Sequence, residues 1–266
     1  MELLPLSWVQ WMALVGSALL VGVTKAGFGA GAGIVSVPLM AIAVGAEDML
    51  PVMLPALICG DVFSIIHYPK QKEWRNLKML VPSCVVGVGI GWVVLVLLGS
   101  ATQAKGSLTA ILDPLVGGIC LVFLAIQLWR YFWESRLTER PQPYRPRVWH
   151  GLVVGTVAGV TSTLSHASGP LIALFLLPQK LDKRVFVGTA VTYFFFGNAV
   201  KFIPYAFQGM FTMPRVWTSA VLLPVVVVGT LLGVLLNRKF SGRAFALVIY
   251  ACTLVMVLKL LVDAFL

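Results

Sequence analysis

Apolar residues fill this chain in blocks of roughly twenty, long enough to cross a bilayer as helices, with short polar intervals between them. The first block, 8–23, runs into Thr24-Lys25-Ala26-Gly27-Phe28-Gly29-Ala30-Gly31-Ala32-Gly33 before apolar residues resume over 34–46. Each glycine costs a helix ~1 kcal/mol relative to alanine, so the pattern predicts a break here. Irregular backbone at membrane depth survives only inside protein or against a water-filled cavity. An acidic loop, Gly45-Ala46-Glu47-Asp48, leads to a span near 50–68 that carries Asp61, Ser64 and His67. A basic loop at 69–78 and spans near 79–98 and 114–132 follow, with Gly87 and Gly91 spaced for close helix approach.

The longest polar segment, Arg130 to His150, contains Pro141, Pro143 and Pro146 and reads as a linker. Beyond it Gly151, Gly155 and Gly159 form a packing seam on a helix. That helix enters a second polar break, Thr161-Ser162-Thr163-Leu164-Ser165-His166-Ala167-Ser168-Gly169-Pro170. A short apolar piece, Leu171–Leu177, ends in the basic loop 178–184, and spans are predicted near 186–206, 216–236 and 244–264. Each half thus offers a break, a short return and three spans. Sliding the chain by 137 places Gly60-Asp61 on Gly197-Asn198, Ser64 on Lys201, Tyr68 on Tyr205 and Lys78 on Arg215. Identity at that offset is low, and the order of features carries the repeat better.

Composition narrows the class: 59% of the 266 residues are hydrophobic and 11% charged. That is the balance of a multi-span membrane protein, with no room for a soluble domain. The formal charge of +10 reflects short basic loops rather than a nucleic-acid surface. If each broken segment is a hairpin that enters and leaves on one side, loops 69–78, 130–149, 178–186 and 238–243 all face the cytoplasm. They hold 15 of the 20 Lys and Arg residues, and only Lys105 and Arg215 face outward. Full crossing by both broken segments would leave ten inside against seven outside. Three crossings per half is an odd number, so the second half inserts upside down and both termini lie outside. The expected fold is an all-α integral membrane protein of two inverted repeats, each a re-entrant helix hairpin plus three transmembrane helices. The repeats occupy 1–133 and 150–266, joined by a basic cytoplasmic linker at 134–149. The N-terminus lacks a basic signal region and is expected to belong to the mature fold. Cys59, Cys84, Cys120 and Cys252 lie in apolar segments at no metal-ligand spacing and are expected to pack as free thiols.

The breaks carry the candidate chemistry. A return helix starting behind Gly33, or behind Ser168-Gly169-Pro170, points unpaired N–H groups and a positive dipole end into the fold. With Gly29, Gly31, Lys25 and the hydroxyls of Thr24, Thr161, Ser162, Thr163, Ser165 and Ser168, two such tips would cradle a small oxyanion. Lys25 at mid-depth costs ~2.5–3.5 kcal/mol on insertion scales and needs a partner or a cavity. A salt bridge to Asp61 is the structural alternative to substrate contact. Asp61 is either that counter-ion or a proton carrier. His166 is placed to donate to an anion, to titrate or to bond a carbonyl. Asn198 and Lys201 share a helix face with Tyr205, matching Asp61, Ser64 and Tyr68. Lys201 and Lys259 also lie near enough to helix ends to snorkel. The glycine spacing at 27–33 is not a dinucleotide fingerprint, because no strand precedes it, and no Walker lysine, metal cluster or nucleophile elbow occurs. No enzyme activity and no cofactor are expected.

The Thr24–Gly33 run with Pro38, His67-Tyr68 ahead of a basic turn, and Lys201 to Tyr205 followed by Gln208-Gly209 resemble the TauE/SafE family. These are sulfite exporters and sulfonate permeases of bacterial inner membranes. The resemblance spans both halves, although the second has Leu164-Ser165-His166-Ala167-Ser168 where the glycine-rich form is expected. It implies a secondary transporter of a small sulfur-containing anion, such as sulfite, thiosulfate or sulfoacetate, embedded in lipid and coupled to protons or membrane potential. An anion channel and a non-transporting scaffold are the rival readings.

Overall fold

With no water to satisfy backbone amides, long apolar runs close their hydrogen bonds within helices. The computed structural model describes residues 3–28, 33–102, 109–134 and 145–239, with 254, 258 and 262 singly, and those residues are mainly helical with no strand among them. Helix α1 spans Trp8–Phe28, α2 Gly33–His67, α3 Trp74–Thr102, α4 Thr109–Glu134, α5 Val148–Ser165, α6 Gly169–Leu176, α7 Lys183–Phe207 and α8 Met213–Lys239. Five of them are long and apolar enough to cross a membrane. The expected spans at 50–68, 79–98, 186–206 and 216–236 lie within α2, α3, α7 and α8, and 114–132 lies within α4. Of the span expected at 244–264 only 254, 258 and 262 are described, and Lys259 lies outside the described residues, as do Gly29, Gly31 and Lys105.

Two boundaries differ from the sequence reading. Helix α1 does not stop at Thr24 but continues through Lys25 to Phe28, because the lysine finds a carboxylate partner and the glycines become dense only after it. Glu47 and Asp48 are not in a loop. Helix α2 changes direction at Gly45 alone, at φ 78° and ψ 155°, a conformation that is essentially glycine-only. The two acids therefore sit in the first turn of the arm 46–67, where negative charge suits the helix dipole.

The first arm of α2, 33–44, folds back along α1, with the Ser17 hydroxyl donating to the Ser36 carbonyl at 2.7 Å and the Gln10 amide to the Ala43 carbonyl at 2.7 Å. At 1.5 Å per residue α1 is about 31 Å long and its return arm only about 18 Å, so the outgoing helix can traverse a bilayer core and the return cannot. In the second hairpin α5 is followed by the eight-residue α6 and one 3₁₀ turn, Leu177–Gln179. Both open ends of the first hairpin lie near Arg215: the Leu4 amide donates to the Thr218 hydroxyl, and Arg215 bonds Asp48, Glu47 and the Met210 carbonyl. Both ends of the second lie among the basic loops. There Asn76 donates to Gln179, and a 220 Å³ cavity is lined by residues of 73–76, 145–146 and 179–181.

Each broken helix packs on a long helix of the other half, α1 on α8 and α5 on α3. Glycines permit both approaches: a β-carbon on Gly22 would strike the Val226 carbonyl, and one on Gly87 the Thr156 carbonyl. The exposed side chains of α3 include Val85, Val86, Ile90, Val93 and Leu97, an apolar face suited to lipid. Polar groups are turned inward.

Candidate functional site

Where α1, α2, α5 and α7 meet, ionisable side chains form one buried network. Lys25, on the last turns of α1, donates to Asp61 Oδ1 at 2.5 Å, and Asp61 is fully buried. The other carboxylate oxygen accepts from the Asn198 amide on α7 at 2.7 Å. One turn further along α7, Lys201 is fully buried. It reaches the Ser162 carbonyl at 3.1 Å, the Ser162 hydroxyl at 2.9 Å and His166 Nδ1 at 2.8 Å. Its three N–H groups are thereby used, so Lys201 does not snorkel to the surface. Among the described residues the Lys25 ammonium keeps capacity beyond its carboxylate. It lies 5.1 Å from the centre of the Phe194 ring, and its side chain is 11% exposed.

Hydrogen-bond logic assigns the imidazole. His166 Nε2 lies 3.0 Å from the Leu50 carbonyl, which can only accept, so Nε2 carries a proton. Nδ1 then accepts from Lys201, and the ring is neutral beside a charged ammonium. This histidine ends α5 with a left-handed backbone, φ 52°, and its N–H caps the Ser162 carbonyl. It bonds a carbonyl, as one of the sequence alternatives had it, but that carbonyl belongs to α2 rather than to a neighbour in sequence.

The offset of 137 recurs in the contacts. Asp61 and Asn198, which it superposes, bond each other. Tyr68 donates to the Ala26 carbonyl at 3.1 Å and Tyr205 to the Thr163 carbonyl at 2.6 Å, and both donors and both acceptors differ by that offset. Lys25 corresponds to Ser162, and Ser64 to Lys201. In the first half the broken helix supplies the ammonium; in the second the following helix supplies it. Each broken helix ends beside the last turns of the long helix that follows it.

The hydroxyls behave differently from the sequence expectation. Thr24 donates to Val21, Thr161 to Val157, Thr163 to Gly159, Ser165 to Thr161 and Ser64 to Gly60, each a carbonyl of its own helix. A hydroxyl has one proton, so none of these donates to a ligand without giving up that bond. Of the hydroxyls, Ser162 joins the network. Ser168 is buried at the N-cap of α6, whose first residue is Gly169, and Gly33 begins the return arm of α2. Sequence reasoning missed the Phe194 face, the Leu50 carbonyl and the clasp of Arg215 on Glu47 and Asp48. Phe194 and Leu50 stand in apolar runs with nothing to single them out. The two tyrosine bonds were signalled by the superposition of Tyr68 on Tyr205.

Among the described residues no group of three or more His, Cys, Asp or Glu is placed to hold a metal ion. No curated protein and no solved structure matches the chain. A family model described as "Sulfite exporter TauE/SafE" matches residues 14–260, which include both hairpins and every residue of the buried network. That family is one of membrane transporters, and the apolar helices make this a multi-pass membrane protein. The match takes in nearly the whole of the chain, which therefore belongs to the TauE/SafE sulfite exporter family.

Proposed function

We propose that the protein carries a small sulfur-containing anion, such as sulfite, thiosulfate or an organosulfonate, across a bacterial inner membrane by alternating access between two oppositely inserted halves. The observation that carries this reading is the network Lys25–Asp61–Asn198 and Lys201–Ser162–His166, to which both broken helices and both following helices contribute. Among the described residues Lys25 is the ammonium with donors to spare, and it is the group we assign to the anion, with Asp61 as the internal carboxylate that holds it meanwhile. Lys201 and His166 fix the second tip, Asn198 ties the halves together, and Thr24, Ser64, Thr161, Thr163 and Ser165 support the helices around them. The backbone N–H groups at Gly33 and at Ser168-Gly169 stand ready to complete the anion shell. Hairpins opening at opposite ends of the bundle favour inverted insertion, with the basic loops cytoplasmic. Side chains this tightly paired favour a carrier over an open channel.

The test is counterflow in proteoliposomes together with a thermal-shift panel of sulfur oxyanions and sulfonates, since a true ligand stabilises by mass action. A ligand present at about 100 times its dissociation constant should stabilise by about 2.7 kcal/mol. Lys25→Ala should abolish both the shift and the counterflow. Unchanged counterflow in that variant, or no shift with any anion, would overturn the reading.

A further inference from the structure

We infer that the buried network is balanced for one net negative charge, so that a monoanion enters alone whereas a dianion enters with a proton that Asp61 takes up. This rests on the anion-carrying reading above and adds a rule for its stoichiometry.

The charge count comes from the geometry. We assign the charges from the hydrogen bonds: Lys201 meets three acceptors and Lys25 a carboxylate, as ammonium groups do, Asp61 accepts on both oxygens as a carboxylate does, and His166 is neutral by its bonds to Leu50 and Lys201. The groups facing Asp61 can be taken helix by helix. Lys25 comes from α1 and Asn198 and Lys201 from α7, with Ser162 of α5 and its C-cap His166 joined by way of Lys201. Thr230 of α8 lies against Gly60, and Cys84 of α3 against Gly197; both are neutral. The sum is one net positive charge. A monoanion cancels it. A dianion leaves one unbalanced negative charge in a dry site, which is costly unless another group neutralises.

Asp61 can neutralise while giving up only its bond to Lys25. Its neighbour in the other half is an amide, which offers either a donor or an acceptor. With Asp61 ionised, the Asn198 N–H₂ donates to Oδ2 at 2.7 Å. With a proton from solvent on Asp61, the new O–H donates to the Asn198 amide oxygen, while the amide N–H₂ still donates to the other carboxyl oxygen. Lys25 is then released from the carboxylate and its ammonium faces the anion. No other bond need change.

Isothermal titration of the purified full-length protein, in buffers of differing ionisation enthalpy, reads protons taken up per anion bound. Methanesulfonate, a monoanion near neutral pH, and thiosulfate, a dianion there, are the probes. Thiosulfate should bind with one proton and tighten about tenfold for each unit that pH falls, and methanesulfonate should bind with none and no such slope. Asp61→Asn, with two net positive charges, should bind thiosulfate without proton uptake. The wild-type stoichiometries decide the matter even if that variant does not fold. Equal proton uptake for the two anions, or thiosulfate binding with none, would overturn the charge rule and leave anion transport standing. Failure of both probes and of every sulfur anion in the thermal-shift panel would overturn the functional reading, and the rule with it.

Discussion

His166 is held in a left-handed backbone conformation, φ 52°, that costs a non-glycine residue on the order of 1–3 kcal/mol. Bonds at both ring nitrogens hold it there, one to Lys201 and one to Leu50. His166→Ala loses those bonds and keeps the strain, whereas His166→Gly loses the bonds and sheds the strain. The glycine variant should therefore unfold at the higher temperature in detergent, by a margin worth about 1 kcal/mol, with neither variant restoring transport. An alanine variant as stable as the glycine one would show the conformation to be unstrained. At this scale the sequence was informative about charge and poor about hydroxyls. Lys25, Asp61, Asn198 and Lys201 declare themselves because an ionisable or amide side chain in an apolar run must find a partner. Serine and threonine do not, because a carbonyl one turn back is always within reach.

Glycines decide how the helices meet. The seams read in sequence at Gly87 with Gly91 and at Gly151, Gly155 and Gly159 prove to be two sides of one interface, α3 on α5. A counterpart joins α1 to α8, where Gly22 faces the Val226 carbonyl, Gly229 the Leu19 carbonyl and Gly233 the Val23 carbonyl. Contacts this close leave no room for a methyl group. Gly22→Ala should cost about 1–3 kcal/mol by overpacking, measured by thermal unfolding. Gly89→Ala, where a β-carbon meets open space, should be neutral or stabilising by up to ~1 kcal/mol through helix propensity. Similar effects at the two positions would mean that α1 and α8 do not approach as closely as their backbones indicate. Which seam pairs with which was not legible, because a small-residue spacing marks a face of a helix and says nothing of the partner.

At the scale of the whole molecule, the two ends differ in charge. Loops 69–78 and 178–184 meet Arg145 at one end, and the Arg215 clasp with Glu47 and Asp48 marks the other. In a cysteine-free background, single cysteines at Lys70 and Lys180 should react with a membrane-impermeant maleimide only when the cytoplasmic face is exposed. One at Met213 should react from outside. If Lys70 and Lys180 label from opposite faces, the second hairpin crosses the membrane completely and the inverted arrangement fails. The loop charges pointed to this arrangement because lysine and arginine stay with the cytoplasmic face during insertion. The hydrogen bonds that bring Asn76 to Gln179 and Gln10 to Ala43 are consistent with it.

The sequence by itself determined that this chain is helical and lives in a membrane, where its breaks fall to within a few residues, and that polar groups near those breaks must be answered from within the protein. Hydrophobic length and the cost of unpaired charge in lipid act locally, so they can be read without coordinates. Only the tertiary structure decided which partner answers each group: Asp61 for Lys25, Asn198 for Asp61, and Ser162 with His166 for Lys201. Those pairings join helices far apart in the chain, and the crossing of α1 on α8 and α5 on α3, set by backbone contact at glycines, is what brings them within reach.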